Sequence, residues 1–517
     1  MESDSRARAR QLDSPALIGI DVGSTAVRAI AFDVHGRKLA VGSRPTPVRT
    51  VATGAEYDPD AIFAVALAAL TDVGKDLAGR PVAGIAATSV GESCVLIDDA
   101  GRSLAPSIIW HDHRTLPQAR AIEAAIGRER IFEITGHAVE RIFTLPKLLW
   151  MREHWPEAMA RARHVLMMAD WIAFRLSGVA ASEPMLASRT LYFDIRRRQW
   201  SEELLALAGV DVDFPAPLMA SGTALGPLRD EIRSASGLAG SPVVAVGGHD
   251  HVLGAMAAGL TKAATAIDSV GTAEGLMMGA EVPLDDPRTI QCGYIQGAIA
   301  TERASFYVVG SIFSAGGSLE WLRAIAGGKS QEALIAEAAA VPAGSGGVIF
   351  LPHLGNGPPP EPDPHARGAF LGLTAAATPA MLYRAVIEGL ALQSRLMLDG
   401  LTGLAGVGPA ATIRLVGGVT RNRLFTSIKA SVFGQPVVVV DEPETTALGA
   451  ALLAGIAAGI FPAFDAAVAG LDLGETVIEP DASAAFYDEM RTTVFAHVHE
   501  RLRPINARLQ QLMESRT

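Results

Sequence analysis

The chain has 517 residues, 49% of them hydrophobic and 19% charged, which is too long for one ordinary core and apolar enough to build two. Its net charge of −11, with no long Lys/Arg stripe, argues against nucleic-acid or anionic-membrane partners and leaves room for an anionic nucleotide held by backbone donors and Mg²⁺. The cysteines, Cys94 and Cys292, are too far apart in sequence to encode a disulfide framework or a zinc site, which fits a reducing cytoplasm.

Residues 1–15 mix arginines with acids around no apolar run, and are expected to be a disordered tail rather than a secretory signal. Leu17–Ile20 predicts a buried strand. Asp21-Val22-Gly23-Ser24-Thr25 then turns the chain, and Val27–Phe32 opens a second apolar run. An acid ending a buried strand, followed by small residues with N–H groups and hydroxyls, suits a phosphate with its metal; a plain hairpin closed by a glycine loop is the alternative. Asp58-Pro59 predicts the cap and first position of a helix to about Leu70. Val82–Thr88 predicts another buried strand, and the polar loop Ser89–Ser93 behind it is a place for substrate contacts.

Strands at Val95–Ile97 and Ile108–Trp110 lead into His111-Asp112-His113-Arg114. Adjacent strand residues point to opposite faces, so this run reads as sugar-hydroxyl recognition rather than a metal site, with an ordinary surface turn as the alternative. Helices are expected over Lys147–Met159, from Met168 to near Gly178, and over Gln199–Leu207. Val243–Gly247 is a strand running into Gly248-His249-Asp250-His251, ahead of a small-residue helix Val252–Gly259. An acid again stands between a buried strand and a helix start.

The chain then begins a second time. Ala264–Met278 sets Asp268-Ser269-Val270-Gly271-Thr272 between two apolar runs, echoing Asp21–Thr25. The repeat predicts two similar α/β domains, each lending a small-residue turn to one ligand held between them. Ser314–Ser318 precedes a helix and offers close backbone approach to a nucleotide. A long helix is expected over Met381–Leu398, and the strand Ile413–Val416 ends in Gly417-Gly418-Val419-Thr420-Arg421-Asn422 before a helix from Leu424. The uncharged stretch Ala447–Phe464 could pass for a membrane span, but Gly449, Gly455 and Gly459 fit a tightly packed internal helix better. Tyr487–Leu512 reads as one or two closing helices broken at Pro504. No G-x-x-x-x-G-K-[ST] loop, strand-linked G-x-G-x-x-G or G-x-S-x-G elbow occurs, so nucleotide chemistry here needs another architecture.

These stretches together resemble the FGGY carbohydrate kinases, the family of xylulokinase, glycerol kinase, fuculokinase and ribulokinase. The likeness runs from about Leu17 to Leu502 and is strongest at Leu17–Gly36, Thr144–Met151, Gly247–Gly259, Ser314–Trp321, Gly368–Gly389 and Ile413–Gly455. It implies an α/β fold of two ribonuclease H-like, actin/Hsp70-type ATPase domains with a ligand cleft between them. The expected division is 16–262 for the sugar and catalytic base, and 263–517 for the nucleotide. By the same resemblance Asp250 matches the catalytic base, and Asp21 the acid that helps hold Mg²⁺. Ser24 and Thr25 match the first phosphate loop, Gly271 and Thr272 the second, Gly316 and Gly317 a segment near phosphates and ribose, and Gly417, Gly418 and Asn422 the adenosine motif. ATP and Mg²⁺ are the implied cofactors, a small sugar or polyol the partner, and a homodimer a family-level expectation.

Departures bear on substrate. Lys147 and Trp150 match the first family signature, with Ile142 at its leading position; Met381 stands where the second signature is polar. The Ser89–Ser93 loop lacks the Gln-Met-His of xylulokinases, and keeps a glutamate, Glu92, as in glycerol kinases but with Gly91 where they carry arginine. Gly355–Pro360 lacks the Glu-Arg-Thr run of xylulokinase-like members, and Gly248-His249-Asp250 is similar to fuculokinases. Glu92, His111, Asp112, Arg114 and His251 are the candidates for reading sugar hydroxyls. The expected function is transfer of the γ-phosphoryl of ATP to a primary hydroxyl of a small ketose such as xylulose, with a glycerol- or tetritol-type polyol kinase as the alternative. An actin/Hsp70-type ATPase scaffold and a non-catalytic sugar sensor are the competitors from other classes.

Overall fold

A strand buried on both faces must carry apolar or small residues at nearly every position, and β1 (Ala16–Val22) does so along its whole length. In the computed structural model, which describes residues 14–299, 301 and 305–515, it is the central strand of the first sheet. Most of the expected N-terminal tail lies outside the described residues. β2 (Ala26–Phe32) returns antiparallel to β1, and β3 (Lys38–Pro45) pairs antiparallel with β2. Helix α1 (Pro59–Asp76) follows, with the Asp58 carboxylate accepting from the N–H groups of Asp60 at 3.0 Å and Ala61 at 3.2 Å. Strand β4 (Val82–Ser89) lies parallel to β1. After helix α2 (Thr144–His154) come β5 (Ala224–Pro227) and β6 (Val243–His249), then helix α3 (Asp250–Ala257). The sheet order is β5-β6-β4-β1-β2-β3, with β6 parallel to β4 and β5 antiparallel at the edge.

The second sheet repeats this plan. β7 (Thr265–Val270) and β8 (Glu274–Ala280) form its central hairpin, followed by β9 (Phe306–Ile312), α4 (Gly316–Ile325) and α5 (Pro379–Thr402). β10 (Thr412–Val416), α6 (Arg423–Phe433), β11 (Val437–Val440) and β12 (Glu475–Ile478) complete it. Six strands of this seven-stranded sheet run in the order β9-β8-β7-β10-β11-β12, which repeats the order of the six-stranded first sheet, with β7, β10 and β11 parallel and β12 antiparallel.

The two compact units are not contiguous halves. One comprises residues 1–261, 296–306 and 444–472, and the other 262–295, 307–443 and 473–517. The Ala/Gly-rich stretch that forms the helix Thr445–Ala457 therefore belongs to the first unit, against β1 and β4. Its small residues are needed there. A Cβ added at Gly19 would overlap the Ala447 carbonyl, and one at Gly84 the Ala454 carbonyl. Among the described residues no helix is long and apolar enough to cross a membrane.

Some boundaries differ from expectation, each for a local reason. The helix expected over Lys147–Met159 divides into Thr144–His154 and Pro156–Arg161, because a proline disfavours helical backbone at Trp155 before it. Gln199–Trp200 forms a small hairpin with Phe193–Asp194, and the helix starts only at Glu202 behind the Ser201 cap. The closing helix is interrupted by a π-helical turn at Arg491–Phe495, not at Pro504, which lies exposed inside the helix Ala496–Glu514, where water can serve the freed carbonyl.

The echo of Asp21 by Asp268 is also out of step. Asp21 is the last residue but one of β1, whereas Asp268 is the last but two of β7. Alternation along a strand turns the two carboxylates to opposite faces. Asp268 is buried, where Lys429 of α6 donates to its Oδ2 at 2.6 Å, to Glu274 Oε1 of β8 at 2.7 Å and to Ser394 Oγ of α5 at 2.8 Å. None of these charged side chains is exposed.

Candidate functional site

The first unit gathers carboxylates at the carboxyl ends of its parallel strands, where open α/β sheets hold their ligands. Register aligns Asp21 of β1 and Gly248 of β6 with Thr88 of β4, and the Thr88 hydroxyl donates to the Gly248 carbonyl at 2.9 Å. Asp250 opens α3 just beyond β6, 8% exposed, and its Oδ1 accepts from the His251 N–H at 2.6 Å. Burial pushes its carboxyl above the ordinary value, and the charge of Glu92 adds to this; His251 and Arg189 pull the other way. His249 Nδ1 lies 3.1 Å from Asp250 Oδ1. Burial holds that imidazole far below its usual range, hence neutral.

Asp21 is pushed up to about 7 by burial first and then by Asp250, with Arg28 opposing and Glu444 adding. Arg28 pairs with Glu444 at 2.6 Å and stands 3.9 Å from Asp21. Ser24 and Thr25 sit exposed at the tip of the β1–β2 hairpin. Thr46 fixes that tip, its hydroxyl donating to the Gly23 carbonyl at 2.7 Å and its N–H to the Thr25 carbonyl at 3.0 Å.

Glu92 is buried and adopts φ +65°, a strained conformation for a residue with a Cβ. Its backbone carbonyl accepts from Lys147 Nζ at 3.0 Å and from the Thr144 hydroxyl at 3.2 Å, both on α2. Lys147 is fully buried and pushed down to about 8 by that burial, with Glu92 the largest opposing influence. The first family signature thus holds the loop that carries Glu92.

The structure brings Asp21, Glu92 and Asp250 into one electrostatic neighbourhood. It uses Asp112 and Arg114 differently. Asp112 Oδ1 accepts from the Arg114 N–H at 2.8 Å and Nε at 3.0 Å, and Oδ2 from the Ala55 N–H at 2.9 Å and Arg114 Nη2 at 2.9 Å. Arg114 also pairs with Glu56 at 2.8 Å and lies over the Trp150 ring. The Asp112 side chain is 0% exposed, so it braces this corner instead of facing a ligand. His111 and His251 are exposed. Sequence reasoning missed Arg28, Arg189 and Glu444, because each acts through a partner distant in sequence, such as Glu444 from the returning segment.

In the second unit the expected nucleotide glycines converge. The N–H groups of Ala315 and Gly317 donate to the Thr272 carbonyl at 2.9 and 3.1 Å, and that of Gly316 donates to the Gly271 carbonyl at 3.0 Å. Gly417, at φ +100°, passes so close to Val270 that an added Cβ would overlap its carbonyl. Gly316, Gly317 and Gly417 therefore serve close approach of one loop to another, while Gly271, Thr272 and Gly418 remain exposed. Asn422 caps α6, its Oδ1 accepting from the N–H groups of Leu424 at 3.1 Å and Phe425 at 3.3 Å.

A duplicated ribonuclease H-like unit, with acids at strand ends in one copy and glycine loops in the other, has the plan of the actin/Hsp70-type phosphotransferases. Models of the FGGY family of carbohydrate kinases match the N-terminal domain at residues 16–257 and the C-terminal domain at 267–458, and the chain belongs to that family. It is 29% identical to the xylulose kinase of Bacillus subtilis over 453 residues, 87% of this chain and 89% of that one. It is 32% identical to the glycerol kinase of Dechloromonas aromatica over 506 residues, 93% and 96% of the two chains. The crystal structure of xylulose kinase from Rhodospirillum rubrum superposes with a TM-score of 0.85 at 27% identity, covering 95% of this chain and 100% of that one. The protein is an ATP-dependent carbohydrate kinase.

Proposed function

We propose that the enzyme transfers the γ-phosphoryl of ATP to a primary hydroxyl of a small neutral ketose of the xylulose type, with Asp250 as the base. The observation that carries this reading is the buried Asp250 at the end of β6, raised above an ordinary carboxylate and set beside Asp21 and Glu92. A primary hydroxyl is a weak nucleophile, and a carboxylate whose affinity for protons is raised by burial is a competent acceptor for its proton. Glu92 and His251 are the proposed readers of the remaining hydroxyls. Ser24, Thr25, Gly271, Thr272 and Gly418 are the proposed nucleotide contacts.

Among the described residues no group of three His, Cys, Asp or Glu side chains forms a protein-only metal cage. Mg²⁺ is commonly held by one or two carboxylates together with phosphates and water, and Asp21 fits that mode: its crowding by Asp250 and Glu444 is what a divalent cation relieves. When bound, the metal supplies charge neutralisation at the transferring phosphate. Asp21 holds it, and Asp250 handles the proton.

The polyol reading is favoured by Glu92, the acid shared with glycerol kinases. Coupled ADP release over xylulose, other ketoses, glycerol and erythritol tests both. Turnover confined to glycerol and erythritol selects the polyol kinase, and ATP hydrolysis indifferent to every sugar removes both readings.

A further inference from the structure

Arg189 has no role in the reading given above, yet its surroundings are built with care. It follows the short helix Pro184–Ala187, whose cap Glu183 accepts from the N–H groups of Met185 at 2.7 Å and Leu186 at 2.6 Å. The next carbonyl, that of Thr190, accepts from the Leu145 N–H of α2 at 2.9 Å, so the backbone is tied on both sides. The side chain is 9% exposed and lies over the Phe143 ring at 5.0 Å. Its Nε at 2.7 Å and Nη2 at 2.5 Å both reach Glu92 Oε1.

That geometry differs from the fork-to-fork pairing in which guanidinium covers both carboxylate oxygens. Both donors land on one oxygen. Lys147 and Thr144 meanwhile hold the Glu92 backbone in its left-handed conformation. Gly91 completes the arrangement: an added Cβ would lie 2.9 Å from His249 Nε2 and 3.0 Å from Arg189 Cγ, so the loop admits no side chain beneath them. An ion pair serving stability alone needs neither the strained backbone nor the single-oxygen contact.

We infer that Arg189 is a positioning residue of the sugar subsite, turning Glu92 so that its Oε2 accepts from a hydroxyl of an uncharged polyhydroxy substrate. The inference rests on the kinase reading above. Glu92's own carboxylate, with the acids Asp21, Asp250 and Glu444 near it and Arg28, Arg189 and Lys147 set against them, disfavours an acidic sugar.

The test uses the full-length enzyme with D-xylulose, glycerol and D-gluconate as probes. Arg189→Lys keeps the charge but loses the paired donors. It should raise KM for the preferred neutral probe about tenfold, leave KM for ATP within about twofold, and add nothing when combined with Glu92→Gln. Should the lysine variant not fold, Glu92→Gln alone must give the same split between the two KM values. Sugar and ATP constants moving together, wild-type constants in either variant, full additivity, or preference for gluconate each overturn the inference. A wild-type enzyme silent on every probe removes the kinase reading and this assignment with it.

Discussion

Lys429→Met tests whether a buried charge cluster holds the β7–β8 hairpin. Lys429 Nζ reaches Asp268 at 2.6 Å, Glu274 at 2.7 Å and Ser394 at 2.8 Å, and both carboxylates are fully buried. Methionine is close in length, so no large cavity follows; what is lost is the cation for two acids. Breaking a buried pair by removing one partner costs about 3–5 kcal/mol. In a unit of roughly two hundred residues, that is a fall of about 10 °C in Tm. The size should depend on pH. Burial, and then Glu274, push Asp268 up to about 8, with Lys429 opposing. A raised folded-state value makes its contribution to stability complete in acid and lost as pH rises through about 8. Without the lysine's opposing charge the folded-state value rises further and the loss continues to higher pH, so the gap between variant and wild type should widen from pH 5.5 to pH 9. Calorimetry at both values reads this, and the triple variant Asp268→Asn, Glu274→Gln, Lys429→Met should recover most of it. A pH 9 melt within 2 °C of wild type, or a gap indifferent to pH, would refute the reasoning.

Asp250→Asn should lower kcat by at least about a thousandfold while ATP still binds by calorimetric titration; near-normal turnover overturns the assignment of the base. The acid limb of the wild-type kcat/KM profile should lie above the ordinary carboxylate range, because burial raises Asp250. In metal-free protein, Asp21→Asn should raise Tm at pH 8 but not at pH 5. The wild-type acid, raised to about 7 by burial and Asp250, contributes stability below the ordinary carboxylate value that is lost as pH rises through 7, by at most about 4 kcal/mol. A gap equal at both pH values contradicts the crowding. Gly19→Ala should melt earlier by several degrees, since its Cβ meets the backbone of Ala447, which cannot swing aside; an unchanged thermal shift would count against that packing.

The hairpins, the strand ends and the duplication were legible because they rest on short-range patterns: apolar runs, small turns and acids at fixed offsets. Asp58 and Pro59 announced their helix for the same reason. What escaped was nonlocal. Nothing near Asp268 says that it faces Lys429, since one residue of offset against the turn decides the face, and only the hairpin register reveals it. Asp112 offered an acid at a strand end like Asp21, yet Arg114 two residues on closes over both of its oxygens. Arg189 and Glu444 were invisible because each meets its carboxylate or guanidinium partner across a long stretch of chain. Pro504 misled for another reason: at an exposed helical position the freed carbonyl has water.

The segment Glu444–Asp472 returns to the first unit after most of the second has been made. During synthesis β1 and β4 therefore wait, their glycine faces bare, until the helix Thr445–Ala457 leaves the ribosome. A gene cut at the junction near residue 262 yields a fragment without the helix that closes this sheet and without Glu444 beside Arg28. Supplying Glu444–Asp472 as a separate peptide should restore that helix and the Arg28–Glu444 pair, making the first unit a natural candidate for fragment complementation.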